Sequence, residues 1–156
     1  MKKNFSVSIY KKIEKFNKKI KIPGDKSCSI RALLFASQCI GESKIFNLLE
    51  STDVLDCCKA LRTLNVKIVK RKNHYSVYGN GLNSFKIKRK LTRLYCGNSL
   101  TTGRLLTGLL STIPSKFYIY GDASANRRDF TRVIEPLEKV GAHFFPRKKT
   151  LPLTIE

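Results

Sequence analysis

Pro23-Gly24-Asp25-Lys26-Ser27-Cys28-Ser29-Ile30-Arg31 puts a turn, a helix start and two cations within nine residues. Pro23-Gly24 stops the strand-like run 18–22, and Ser27 or Ser29 can then cap a helix that continues through Ala32, Leu33, Leu34 and Ala36. The first N–H groups of such a helix lack internal partners and sit at the positive end of its dipole, so a phosphate or carboxylate is favoured there. Lys26 stands at that mouth as a point charge. Arg31, four residues after Ser27, shares its helix face and offers a planar fork for a second oxygen pair. The stretch therefore reads as an anion cradle, although it is only a loose cousin of a phosphate loop. The competing reading is a basic capped helix facing water.

The whole chain leans the same way. Its 31 Lys and Arg outweigh 11 Asp and Glu, a net charge of +20, which implies anionic partners without saying which. Nucleic acid is one class, since neutralised phosphates drive nonspecific binding. Yet much of the excess is Lys spread through Ile- and Asn-rich sequence, as solvated faces would show, and no motif interleaves aromatics with these cations as a stacking platform would. The run Lys86-Ile87-Lys88-Arg89-Lys90 reads as an exposed strand or loop. Five cysteines (Cys28, Cys39, Cys57, Cys58, Cys96) without C-x-x-C spacing, beside two histidines (His74, His143), support neither a disulfide framework nor a zinc site. A reducing cytoplasm fits best. No apolar run approaches the ~20 residues of a membrane span, and the basic N-terminus has no apolar core segment or cleavage site of a secretory signal. At 156 residues and 42% apolar, the chain is long enough for one domain with a real core.

The elements that must position the cradle follow from periodicity. Phe5, Val7 and Ile9 alternate as a strand should, and Ile20 and Ile22 resume the pattern before the turn. A helix from about 27 to 38, a short strand over 44–48 and a helix capped by Ser51 or Thr52 come next, the last with Val54, Leu55, Cys58, Leu61 and Leu64 as its core face. Val66 and Ile68, then Tyr75 and Val77, predict two strands, with Gly79-Asn80-Gly81 as a turn. At Tyr95-Cys96-Gly97-Asn98-Ser99 a strand-to-helix turn recurs and opens a helix to about 111 with Leu105, Leu106, Leu109 and Leu110 apolar. A strand over 116–120 ends at Gly121-Asp122. Asp129 can cap a helix with Val133, Ile134, Leu137 and Val140 on one face and Pro136 inside it. Strands over 142–145 and 151–155 complete the series.

The chain also resembles itself. Gly24 and Gly97 each open a turn of small polar residues, reach an Arg seven positions on and continue into Leu-Leu, at an offset of 73; the helix ends at Leu61 and Leu137 repeat at an offset of 76. The economical explanation is a duplicated β-α-β-α-β-β unit in an α/β domain, where parallel pairing needs the crossover helices.

Several ordered motifs carry a family resemblance through nearly the whole chain: Pro23-Gly24-Asp25-Lys26-Ser27 with Arg31; Asn47-Leu48-Leu49 before Thr52-Asp53-Val54; Gly97-Asn98-Ser99 with Thr101 and Arg104; Gly121-Asp122 leading to Arg128 and Arg132-Val133-Ile134-Glu135-Pro136-Leu137. Together they resemble 3-phosphoshikimate 1-carboxyvinyltransferases, the EPSP synthases of the shikimate pathway in aromatic amino-acid biosynthesis. The resemblance implies a transferase of two domains, each of three inverted β-α-β-α-β-β repeats, that needs no cofactor and no metal. It moves the enolpyruvyl group of phosphoenolpyruvate to shikimate 3-phosphate. Residue by residue, it implies Lys26, Ser27 and Arg31 on shikimate 3-phosphate; Lys26, Asn98, Ser99, Thr101 and Arg128 on phosphoenolpyruvate; and Lys26 as a group that moves protons. On this pattern, 1–22 hold N-terminal strands, the first belonging to the other domain, and 23–156 form an incomplete domain, with repeat 1 about 23–90 and repeat 2 about 91–156.

The departures set further expectations. Ile30 stands where the family has His or Asn. Leu100 replaces a Gly and should intrude on the donor pocket; Gly103 replaces a Met; Asp129 replaces a Pro and adds a negative charge beside Arg128. The family needs two to three times this length, so the expectation is an N-terminal part, inactive alone, with a complementing C-terminal chain as a further partner. The alternatives are a basic, non-catalytic nucleic-acid-binding protein and a decayed remnant.

Overall fold

The computed structural model describes residues 6–12, 14–85, 87 and 89–156. Phe5 of the N-terminal alternation and Lys86 and Lys88 of the basic run lie outside the described residues. Two units follow one another. The first is α1 (Lys26–Gln38), β1 (Ile40–Phe46), α2 (Thr52–Thr63), β2 (Lys67–Lys70) and β3 (His74–Asn80). The second is β4 (Leu91–Tyr95), α3 (Leu100–Leu110), β5 (Lys116–Tyr120), α4 (Thr131–Lys139), β6 (Phe144–Phe145) and β7 (Leu153–Ile155), with a 3₁₀ turn at Ala125–Arg127.

The sheets repeat one topology. The first runs β1-β3-β2 with both pairs antiparallel; the second runs β4-β5-β7-β6, where β5, β7 and β6 take the places of β1, β3 and β2. β4 is the addition, joined to β5 in parallel from Leu91↔Lys116 to Tyr95↔Tyr120. A parallel pair needs a crossover, and α3 supplies it. The second unit is thus a full β-α-β-α-β-β repeat, as the duplication predicts, while the first begins at its helix.

The strands expected within 1–22 do not form among the described residues. Val7, Ile9, Ile20 and Ile22 are 68–86% exposed, so their alternation faces water on both sides. The second unit explains why. α2 packs against β4 and buries Thr92 and Leu94, whereas no described element covers 18–22. An apolar alternation yields a strand only where a face is buried.

The core lies between helices and sheets. Leu33 of α1, Leu61 of α2, Leu94, Leu106 of α3, Phe117, Ile119 and Phe130 are fully buried, and Val54, Cys58 and Leu64 fulfil the expected core face of α2. Other expected apolar positions turn outward: Leu55 and Leu105 are each more than a third exposed, and Val140, at the end of α4, is 80% exposed. The expected turn at Gly79 also shifts. β3 runs on to Asn80 and only Gly81 turns, at φ +101°; Gly79 sits within the strand, where the Cys39 carbonyl oxygen would lie 2.2 Å from a Cβ and only a glycine fits. Among the described residues no helix is long and apolar enough to cross a membrane.

Candidate functional site

The first helix mouth is built by the turn before α1. Asp25, not Ser27 or Ser29, caps the helix: its carboxylate accepts the Cys28 N–H at 2.7 Å. That bond, with the nearby Arg31 charge as a smaller contribution, holds the Asp25 carboxyl below its usual range. Ser29 is freed for another task, accepting the Leu49 N–H at 3.0 Å and so pinning the loop after β1 to α1. Gly24 completes the join, since a Cβ there would lie 2.0 Å from the Asn47 carbonyl oxygen. Lys26 reaches from the start of α1 to Asp53 in the first turn of α2, Nζ to Oδ2 at 2.9 Å. Ser27 is half-buried, while Arg31 is exposed and makes no hydrogen bond or ion pair among the described residues.

The second mouth is wired differently. Gly97 adopts φ +61°, a left-handed turn that also brings it against Asp56 of α2, where a Cβ would lie 2.5 Å from Oδ2. Ser99 caps α3, nearly fully buried, its hydroxyl accepting the Thr102 N–H at 3.2 Å and the Thr102 hydroxyl at 3.0 Å. Thr101 is half-buried. Asn98 is exposed, and its Nδ2 donates to Asp122 Oδ2 at 2.7 Å. Arg128 arrives from beyond β5: Nη2 donates to Asn98 Oδ1 at 3.3 Å and to Ser124 Oγ at 3.5 Å. Both are long for a charge-assisted bond, so the guanidinium is lightly held. Asp122 accepts the Ala125 and Ser124 N–H groups at 2.8 and 3.0 Å; the Ala125 bond first, then Asn98, keeps its carboxyl low.

The two mouths belong to one end of the fold. α2 joins them, its Asp53 paired with Lys26 and its Asp56 against Gly97, while the parallel β4 and β5 both end at the second mouth, bridged by the Asp122 N–H to the Gly97 carbonyl at 3.0 Å. Cys96, at that junction, has its thiol pushed up to about 12, first by burial and then by the charges of Asp122, Asp56 and Asp53. The structure thus brings Asn98 and Arg128 into one network and Lys26 into another, with α2 touching both. Spacing did not reveal the three aspartates. Asp53 was visible as an acid in a helix's first turn, and Asp122 as the polar residue closing a strand, but their partners are remote in sequence. Chemically, Lys26 and Asn98 are each held by a carboxylate that an anionic ligand can displace, while Arg128 rests on the neutral oxygens of Asn98 and Ser124.

The departures are absorbed by packing. Ile30 is fully buried, Leu100 is half-buried and packs against the core, and Asp129 turns its carboxylate to the Thr131 hydroxyl and N–H at the start of α4. A Cβ on Gly103 would meet Phe130 at 3.1 Å and Cys96 Sγ at 3.2 Å.

Comparison with known proteins points one way. The family profile described as EPSP synthase (3-phosphoshikimate 1-carboxyvinyltransferase) matches residues 10–156. A 3-phosphoshikimate 1-carboxyvinyltransferase of Syntrophomonas wolfei is 42% identical over 129 residues, which is 83% of this chain and 30% of the relative. The enzyme of that name from Vesicomyosocius okutanii is 39% identical over 137 residues, 88% of this chain and 31% of the relative. A solved EPSP synthase from Acinetobacter baumannii superposes with a TM-score of 0.79 at 34% identity, covering 87% of this chain and 31% of that one. The chain spans about 30% of the length of the curated relatives it matches.

Proposed function

The chain belongs to the EPSP synthase family, and from that premise we propose that it holds one wall of a site where enolpyruvyl passes from phosphoenolpyruvate to shikimate 3-phosphate. In that reaction the shikimate 5-hydroxyl gives up its proton to a base as its oxygen adds to C2 of phosphoenolpyruvate, while C3 takes a proton. Loss of a C3 proton with inorganic phosphate then restores the double bond. The chain's own residues bind and orient. Lys26, Ser27 and Arg31 take shikimate 3-phosphate at the α1 mouth, and Asn98, Ser99, Thr101 and Arg128, with Lys26, take phosphoenolpyruvate at the α3 mouth. Fixed cations at helix N-termini stabilise the charge that develops on phosphate without reorganising water. Lys26, released from Asp53, is the group on this wall able to hand over a proton.

The observation that carries this reading is the Lys26 to Asp53 pair, at the mouth of a helix whose other cation, Arg31, makes no hydrogen bond or ion pair among the described residues. In this reading 1–22 lead into the domain formed by 23–156. The groups that complete the chemistry come from the part of the relatives' length this chain does not span, in a longer polypeptide or a complementing chain, so these 156 residues bind without turnover. A cytoplasmic setting suits a biosynthetic enzyme with five free thiols. Calorimetric titration with shikimate 3-phosphate at moderate salt tests the proposal. Saturable binding lost in Lys26→Ala supports it; no heat from a folded sample overturns it and leaves the charge-driven binder of nucleic acid, whose mark is steep salt dependence.

A further inference from the structure

Arg31 and Arg104 occupy equivalent places in the two units, each seven residues after its turn glycine, and their fates differ. Arg31 is exposed and makes no hydrogen bond or ion pair among the described residues, its charge felt by Asp25. Arg104 is half-buried; its Nη2 donates to the Asp129 carbonyl at 2.8 Å, and its guanidinium carbon sits 5.6 Å from the centre of the Phe130 ring. Its Nε is buried with no hydrogen-bond partner among the described residues, a cost accepted only where the rest of the fork is held in place. Phe130 is fully buried against Gly103, its N–H donates to the Lys149 carbonyl at 2.8 Å, and Asp129 bridges to Thr150. The segment that follows Arg128 is therefore gripped from α3 on one side and from 149–150 on the other.

We propose that Arg104 is the positioning residue for Arg128: by holding the Asp129 carbonyl while stacking on Phe130, it fixes where the Arg128 guanidinium meets an anion at the α3 mouth. This rests on the reading of Arg128 as a phosphoenolpyruvate clamp. An arginine suits the task because one planar group both stacks and donates, which an ammonium does not reproduce. It also gives the smallness of Gly103 a purpose, since a larger side chain would displace the ring on which Arg104 rests.

The test uses the whole chain with Arg104→Met, which keeps length and apolar contact but has no donor, and Arg104→Lys, which returns one donor. Phosphoenolpyruvate affinity falls roughly tenfold in Arg104→Met and recovers in part in Arg104→Lys. Shikimate 3-phosphate affinity stays unchanged. In an Arg128→Ala background Arg104→Met has no further effect on phosphoenolpyruvate, because the group it positions is gone. Equal losses for both ligands, or losses that add to that of Arg128→Ala, overturn the proposal. Amide exchange in the ligand-free chain separates its failure from that of the clamp reading. Unchanged protection at Phe130 in Arg104→Met overturns the proposal whatever the ligands do. Lost protection, in a chain whose unsubstituted form binds no phosphoenolpyruvate, overturns the clamp while supporting the hold of Arg104 on the segment.

Discussion

The two helix mouths solve the same problem with opposite means. At α1 the cap is a charged carboxylate, Asp25, and the cations Lys26 and Arg31 are carried by the helix itself. At α3 the cap is a neutral, buried hydroxyl, Ser99, and the cation comes from Arg128, 30 residues after the Asn98 that receives it. The cap and both cations of the first mouth are local to α1, and only the Asp53 that holds Lys26 and the loop pinned by Ser29 come from elsewhere. The second is a tertiary device that depends on β5, on Asp122 and on the packing of Phe130. Damage to the core should therefore disable the second mouth before the first.

The largest effect expected is from Phe130→Ala. Removing a fully buried ring should cost about 3–5 kcal/mol, read as a lower urea midpoint, and in whatever fraction stays folded should weaken phosphoenolpyruvate before shikimate 3-phosphate. Equal weakening would break the distinction. Lys26→Ala should instead spare the core, lowering shikimate 3-phosphate affinity about 10- to 100-fold for the lost charge-assisted bond, and phosphoenolpyruvate affinity with it, while shifting stability by at most about 1 kcal/mol, since the pair with Asp53 is half-exposed. Calorimetry beside thermal melting reads both.

Acid sharpens the contrast further. The Asp25 carboxyl is depressed in the folded chain by its Cys28 bond, so its contribution is present above the ordinary 3.8 and fades as pH falls through the lower folded value. The Cys28 amide should lose exchange protection only as pH falls below 3.8, through the lowered folded value, while the Thr102 amide, held by Ser99, keeps it. Asp25→Asn should abolish that difference. Smallest is Gly108→Ala in α3. Nothing lies within 4 Å of the added methyl, so stability should rise by about 0.5–1 kcal/mol with both affinities unchanged, as thermal melting and titration would read.

The same local-against-tertiary divide explains what could be read from sequence alone. β5 falls where its β-rich run ends, and α1 and α3 begin within a residue of expectation, because periodicity and caps are local. Lys26, Arg31 and Asn98 were visible as chemistry beside a turn. The choice of Asp25 over Ser27 and Ser29 as cap was missed because Asp and Ser both cap well, and only the fold gives Ser29 to Leu49. Asp53 and Asp122 were missed as partners because an ion pair across 27 residues and a hydrogen bond across 24 leave no spacing signal. The N-terminal strands were overread because alternation reports a face that could be buried, and nothing described here buries it.

That α2 of the first unit covers β4 of the second also sets an order of events in time. On the ribosome the chain emerges from its N-terminus, so the roof is made before the strand it shelters, and β4 reaches a surface already waiting for it. The first unit acts in this way as the template for the second. A circular permutant that begins at β4 would reverse the order, leaving a bare parallel edge during synthesis while every residue and every final contact stayed the same.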